Sequence, residues 1–187
     1  MNLNRENTLD NENINDVIDE HIKLLNEMSS CVSVKSPYQL LKKLKREKIK
    51  EGRYKDKCSL FEAANRIMTD LIISYGIKDL LDGNDFDFDK YIVEFGNDNK
   101  NPHDIMVEKD GKILLIGEAF NVAKSFFKVK KNKSLRKLRE STAENISNDT
   151  IKILLYNSDA VSDNYEPISK ENEYHIKVDL DEKMSEK

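Results

Sequence analysis

Apolar positions change their rhythm about halfway along the chain. From Ile14 to Met28 they fall at Ile14, Val17, Ile18, Ile22, Leu24, Leu25 and Met28, close to the spacing of one helix face. Ser29 to Pro37 breaks the pattern. Leu40, Leu41, Leu44 and Ile49 then recur among lysines, which predicts a second, basic helix from Tyr38 to Lys50, closed by Gly52. The clearest stripe is Leu60, Phe61, Ala64, Met68, Leu71, Ile72 and Tyr75. It predicts a helix over Ser59 to Tyr75 with Gly76 as its stop. Asp79 to Lys90 reads as an Asp-rich connection carrying the Gly83-Asn84 turn signal.

Beyond it the apolar runs shorten to strand length. Tyr91 to Phe95 is the first, ended by Gly96-Asn97. Ile105 to Val107 and Ile113 to Ile116 form a hairpin through Glu108-Lys109-Asp110-Gly111-Lys112, with Asp110-Gly111 as the turn. The unbroken run Ile113 to Ile116 marks a strand buried on both faces. A helix from Ala123 to Glu140, a strand over Ile151 to Tyr156 and an alternating strand over Tyr174 to Val178 complete the pattern. Residues 1–12 are expected to fray, and the charged tail after Asp179 to be disordered. The expected class is α/β, with helices covering a small mixed sheet. Residues 1–57 read as an N-terminal helical arm and 58–187 as the core with its tail.

A chain of 187 residues is long enough for one sizeable core. Hydrophobic residues at 38% and charged residues at 35% make it polar yet globular. A net charge of -4 does not advertise a polyanion-binding protein, but the distribution is uneven. Residues 1–30, 79–99 and the stretch after Asp159 are acidic, whereas 35–57 and 124–139 are basic. Local charge decides whether a phosphate backbone can dock. Cys31 and Cys58 lack metal-ligand spacing and are expected as reduced thiols, although a disulfide between them is geometrically possible. With no secretory signal and no bilayer-length apolar run, a soluble cytoplasmic protein without a membrane partner is expected. The chain has no glycine-rich phosphate loop, Gly-x-Ser-x-Gly elbow, zinc-type Cys/His set or dinucleotide fingerprint. ATPase, triad-hydrolase, zinc-finger and Rossmann readings are thereby removed.

Two stretches carry chemistry. Pro102-His103-Asp104 opens one strand, and Gly117-Glu118-Ala119-Phe120-Asn121 closes its hairpin partner. An Asp and a Glu so disposed can converge and seat a divalent metal. Asp104 could also be an ordinary strand-start residue. Glu118 ends an uncharged strand, and a buried carboxylate needs a partner or a metal. His103 reads either as a surface residue or as a phosphate ligand or proton carrier. The helix after Glu118 carries Lys124, Lys128, Lys130, Lys131, Lys133, Arg136, Lys137 and Arg139, with Phe126, Phe127, Val129, Leu135 and Leu138 as its apolar side. Such a run is either a solvated face or a phosphate-binding one. Like charges at close helical spacing repel, which favours a phosphate partner. A second basic run, Lys42, Lys43, Lys45, Arg46, Lys48, Lys50, Arg53, Lys55 and Lys57, reads equally as a surface helix or a nucleic-acid grip.

Element order and acids together resemble the PD-(D/E)XK nuclease superfamily, over roughly residues 58–157 and most like type II restriction endonucleases. Its core is helix, three-stranded meander, helix, strand. Its signature is an Asp beginning the second strand and (D/E)-x-K on the third. Pro102-His103-Asp104 is similar to the first half, with one residue inserted. Glu118-Ala119-Phe120 is similar to the second, with Phe120 where the Lys belongs. The resemblance implies a restriction endonuclease-like core that holds Mg²⁺ (or Mn²⁺) on Asp104, Glu118 and the carbonyl of Ala119. It implies a basic group from the following helix in place of the missing lysine, Lys124 first and Lys128 one turn on. It also implies an acid on the first helix at Glu62, a position that equally reads as the capping box Ser59-Leu60-Phe61-Glu62. The expected activity is metal-dependent DNA cleavage, with Lys128, Lys130, Lys131, Lys133 and Arg136 on the phosphate backbone and a homodimer by analogy. The alternative is a nuclease fold without catalysis, acting as a nucleic-acid-binding or protein-interaction module.

Overall fold

The computed structural model of the protein describes residues 7–29, 36–50, 54, 56–83, 86–96, 101–141, 145–167 and 170–185. Its centre is a six-stranded sheet in sequential order: β1 (Thr8–Asp10), β2 (Lys90–Val93), β3 (Ile105–Lys109), β4 (Lys112–Phe120), β5 (Ile146–Asn157) and β6 (Glu173–Val178). The first four strands pair antiparallel, whereas β4–β5 and β5–β6 pair parallel. Helices α1 (Ile14–Ser29), α2 (Pro37–Lys45) and α3 (Leu60–Gly83) precede β2. Helix α4 (Lys124–Arg139) carries the crossover between β4 and β5, and α5 (Leu180–Ser185) ends the chain.

Strand alternation splits the sheet into two faces. Tyr91, Val93, Ile105, Val107, Leu115, Ala119, Ile153 and Leu155 share one core with α1 and α3. Met106, Ile116, Phe120, Leu154 and Tyr156 share the other with Phe127, Leu135 and Leu138 of α4. The protein is therefore a mixed α/β sandwich with helices on both sides of the sheet. Helix α3, the meander β2–β3–β4, α4 and β5 follow one another in the expected order. At the β3–β4 turn Asp110 and Gly111 both take positive φ, 52° and 74°, the backbone that a tight two-residue hairpin needs.

Several boundaries differ from expectation. Gly76 does not stop α3, which runs on to Gly83 through part of the expected Asp-rich connection. A Cβ at Gly76 would come 2.7 Å from Leu155 Cδ1, so the glycine serves close packing of helix on sheet. Helix α2 ends at Lys45, and Ile49 N–H instead donates to the Cys58 carbonyl at 3.0 Å. Gly52, Asn84 and Asn97 lie outside the described residues.

Residues 8–10 do not fray. Leu9, opposite Tyr91, is 1% exposed, and its burial sustains the short edge strand. The expected arm packs into the main core through Leu9, Ile14, Ile18, Ile49 and Tyr54. The tail after Asp179 forms α5, anchored by buried Leu180 and by Lys183 Nζ, 2.6 Å from Asp79 Oδ1.

Alanine is the better helix former than glycine by about 1 kcal/mol, but overpacking a tight contact costs about 1–3 kcal/mol. Gly76→Ala is therefore expected to destabilise the fold by about 1 kcal/mol, read from the midpoint of urea unfolding with an unchanged slope.

Candidate functional site

Ile105 pairs with Gly117, which sets Asp104 and Glu118 side by side where β3 begins and β4 nears its end. Glu118 lies between Ile116 and Phe120, so alternation turns it toward α4. It is 5% exposed. Its Oε1 accepts from His103 Nδ1 at 3.0 Å and lies 2.7 Å from Lys137 Nζ. The far ring nitrogen of His103, Nε2, is 2.8 Å from Ser141 Oγ. A carboxylate on Nδ1 favours the tautomer with the proton there, which leaves Nε2 to accept from the Ser141 hydroxyl. Asp104 turns inward at the strand end, where its Oδ2 accepts from the Ala119 N–H at 2.8 Å. One oxygen of each acid is thus engaged. The other, Asp104 Oδ1 or Glu118 Oε2, takes no hydrogen bond among the described residues.

Both acids line one cavity of about 820 Å³ between α3, α4 and the end of the meander. Asn65, Arg66, Thr69 and Asp70 of α3 form one wall. Lys130, Lys133, Arg136 and Lys137 of α4 form the other. Burial, and next the charge of Glu118, push the Asp104 carboxyl up to about 7 against the pull of the Ala119 N–H and of Lys137 and Lys130. The site therefore holds two mutually repelling acids inside a ring of cations.

Among the expected residues, the structure brings together Asp104, Glu118, Ala119, Lys130, Lys133 and Arg136. Lys124 and Lys128 are exposed and do not line the cavity. At about 3.6 residues per turn they stand on the far side of α4 from Lys130, Lys133 and Lys137. The α4 lysine that reaches Glu118 is Lys137. Lys131 also points away, 3.3 Å from Tyr165 Oη. Glu62 belongs to the capping box: its Oε2 accepts from the Ser59 N–H at 2.8 Å and the Ser59 hydroxyl at 3.1 Å. Those two bonds hold its carboxyl below the ordinary range. The acid that α3 brings to the cavity is Asp70, which accepts from Gly96 N–H at 2.9 Å.

Phe120, in the signature lysine position, packs against Phe127 and Tyr156 with ring centroids 5.9 and 6.0 Å away. In the second basic run, Lys42 pairs with Glu47 at 3.3 Å and Lys50 with Asp56 at 3.0 Å, while Arg53 and Lys55 lie outside the described residues. Cys58 is a free buried thiol, and Cys31 lies outside the described residues.

Sequence reasoning missed Lys137 as the partner of Glu118, and Ser141 as the partner of His103. The helical spacing of Lys130, Lys133 and Lys137 could have revealed the first. Nothing in sequence flags Ser141, which is 38 positions from His103. The chain Ser141–His103–Glu118 has the order nucleophile, base, orienter. Neither Ser141 nor His103 lines the cavity, and His103 is 3% exposed, so the chain fixes Glu118.

Among the described residues no group of three or more His, Cys, Asp or Glu side chains is arranged to hold a metal, and no helix is long and apolar enough to cross a membrane. Scans against protein-family models, curated proteins and solved structures return no match.

A carboxyl raised from 3.8 to about 7 contributes stability that is full below pH 3.8 and lost as pH climbs through 7. Asparagine keeps an acceptor for the Ala119 N–H but cannot ionise. Asp104→Asn is expected to match wild-type stability near pH 4 and exceed it by about 4 kcal/mol above pH 7, measured by urea unfolding across that range.

Proposed function

We propose that this chain is a divalent-metal-dependent DNA endonuclease of the PD-(D/E)XK type. The observation that carries the reading is the pairing of Asp104 with Glu118 in one cavity, each with an unengaged oxygen, beneath the cations of α4. The order α3, β2–β3–β4, α4, β5 supports it, because that is the order the resemblance requires.

The donors suit a hard cation of the Mg²⁺ class. That ion prefers carboxylate oxygens, keeps several waters and is held by one or two carboxylates plus substrate phosphate rather than by a full protein cage. Two like charges forced together also favour any cation that enters between them. Asp104, Glu118 and the Ala119 carbonyl would hold it. When bound, such a cation supplies Lewis acidity to a phosphate oxygen and lowers the pKa of a water.

The chain's own residues do the rest. His103 and Lys137 hold Glu118 Oε1, which leaves Oε2 for a ligand. Lys137 Nζ, half-exposed, donor-only and beside Glu118, would stabilise the charge that develops on a scissile phosphate. Lys130, Lys133 and Arg136 neutralise the flanking phosphates. Water attacks phosphorus, the bond to one ester oxygen breaks, and that oxygen leaves as the alcohol. A catalytically silent nucleic-acid-binding module is the second reading. It is favoured by Phe120, which fills the lysine position with a buried ring.

Plasmid and single-stranded DNA incubated with Mg²⁺ or Mn²⁺ separate the two. Cleavage is expected from the wild type and is expected to vanish in Asp104→Ala and Glu118→Ala. Lys137→Ala should slow it on the order of 100-fold, the usual loss of one charge-stabilising donor, with DNA affinity nearly kept. Lys124→Ala should cut at the wild-type rate. Salt-sensitive binding by the wild type without cutting would establish the silent module instead.

A further inference from the structure

Phe126 and Val129 fit the apolar spacing of α4, yet they stand 65% and 70% exposed. The core side of the helix is formed by Phe127, Leu135 and Leu138. At about 3.6 residues per turn, Phe126 shares a side of α4 with Lys130, Lys133 and Lys137. Those three lysines line the cavity, and so do Phe120, Asn121 and Val122 in the run leading into the helix. Phe126 therefore extends the cationic row by one turn toward the start of the helix, whereas Lys137 meets Glu118 toward its end. No acid interrupts the row between Lys124 and Arg139.

We infer that this row holds a nucleic-acid strand with unpaired bases, its phosphates on Lys130 and Lys133 and one base stacked on the Phe126 ring. The inference rests on the nuclease reading and names the substrate form of that site. Charge complementarity identifies a polyanion. The aromatic ring narrows the choice, because a continuous duplex hides its base faces in its own stack. An unpaired strand offers every base face to an exposed ring, whatever the sequence. Val129, one helical turn on, widens the apolar platform beside the ring. Site size and base preference follow from stacking and backbone reach, so little sequence selectivity is expected.

Fluorescence anisotropy in EDTA tests this without cleavage, using labelled oligo(dT) and a duplex of equal length. The wild type should bind the single strand more tightly. Phe126→Ala, at an exposed position, should weaken single-strand binding about tenfold and duplex binding less than about twofold, with Phe126→Trp restoring the former. Lys133→Ala should weaken both and flatten the salt dependence. Equal or tighter binding of duplex, or unchanged single-strand affinity in Phe126→Ala, overturns the inference. The two readings fail separately. A single-strand preference that needs Phe126, without any metal-dependent cutting, removes the nuclease and leaves the stacking strand. Cutting confined to duplex and indifferent to Phe126→Ala does the reverse.

Discussion

A carboxylate removed from water is stable only if something compensates it, and Glu118 is that carboxylate here. Unpaired, it would cost several kcal/mol, a large part of the roughly 5–15 kcal/mol by which a domain is stable. His103 and Lys137 both meet the need at one oxygen. The first brings the start of β3 and, through Ser141, the end of α4 into the same network. The second fixes one turn of α4 over the end of β4. What holds the acid therefore also shapes the cavity.

Asp104 adds a conflict that the fold leaves unrelieved. The Ala119 N–H steadies it, yet burial and the neighbouring acid raise its proton affinity to near neutrality. Asp104 is the member of the pair that this conflict pushes toward keeping its proton. A carboxyl shifted by burial and by a named charge partner inside a cleft marks a candidate site. The surrounding cations lessen the conflict without removing it.

Which cations reach the site depends on how α4 is rotated. Phe127, Leu135 and Leu138 turn inward, and Arg139 grips Glu173 of β6 with two contacts of 2.7 Å. With the rotation so set, Lys130, Lys133 and Lys137 face the cavity while Lys124, Lys128 and Lys131 do not. One basic run thus divides into a cavity side, a core side and a back. Helical phase leaves Phe126 on the cavity side.

By itself the sequence determined the features that depend on near neighbours in the chain. Periodicity carried the helices and strands, Asp110-Gly111 carried the hairpin, and the hairpin brought Asp104 opposite Glu118. Ser59 and Glu62 announced a cap through their spacing alone. Tertiary structure decided what depended on elements far apart. Gly76 resembles a helix stop until Leu155 is packed against it. Leu9 resembles a frayed end until the edge of β2 is offered to it. Phe126 and Val129 resemble core until Phe127, Leu135 and Leu138 claim that side of the helix. Lys124 resembles the nearest base to Glu118 because it is nearest along the chain, but contact is made across space. There the rotation of α4 brings Lys137, thirteen residues further on, to within 2.7 Å.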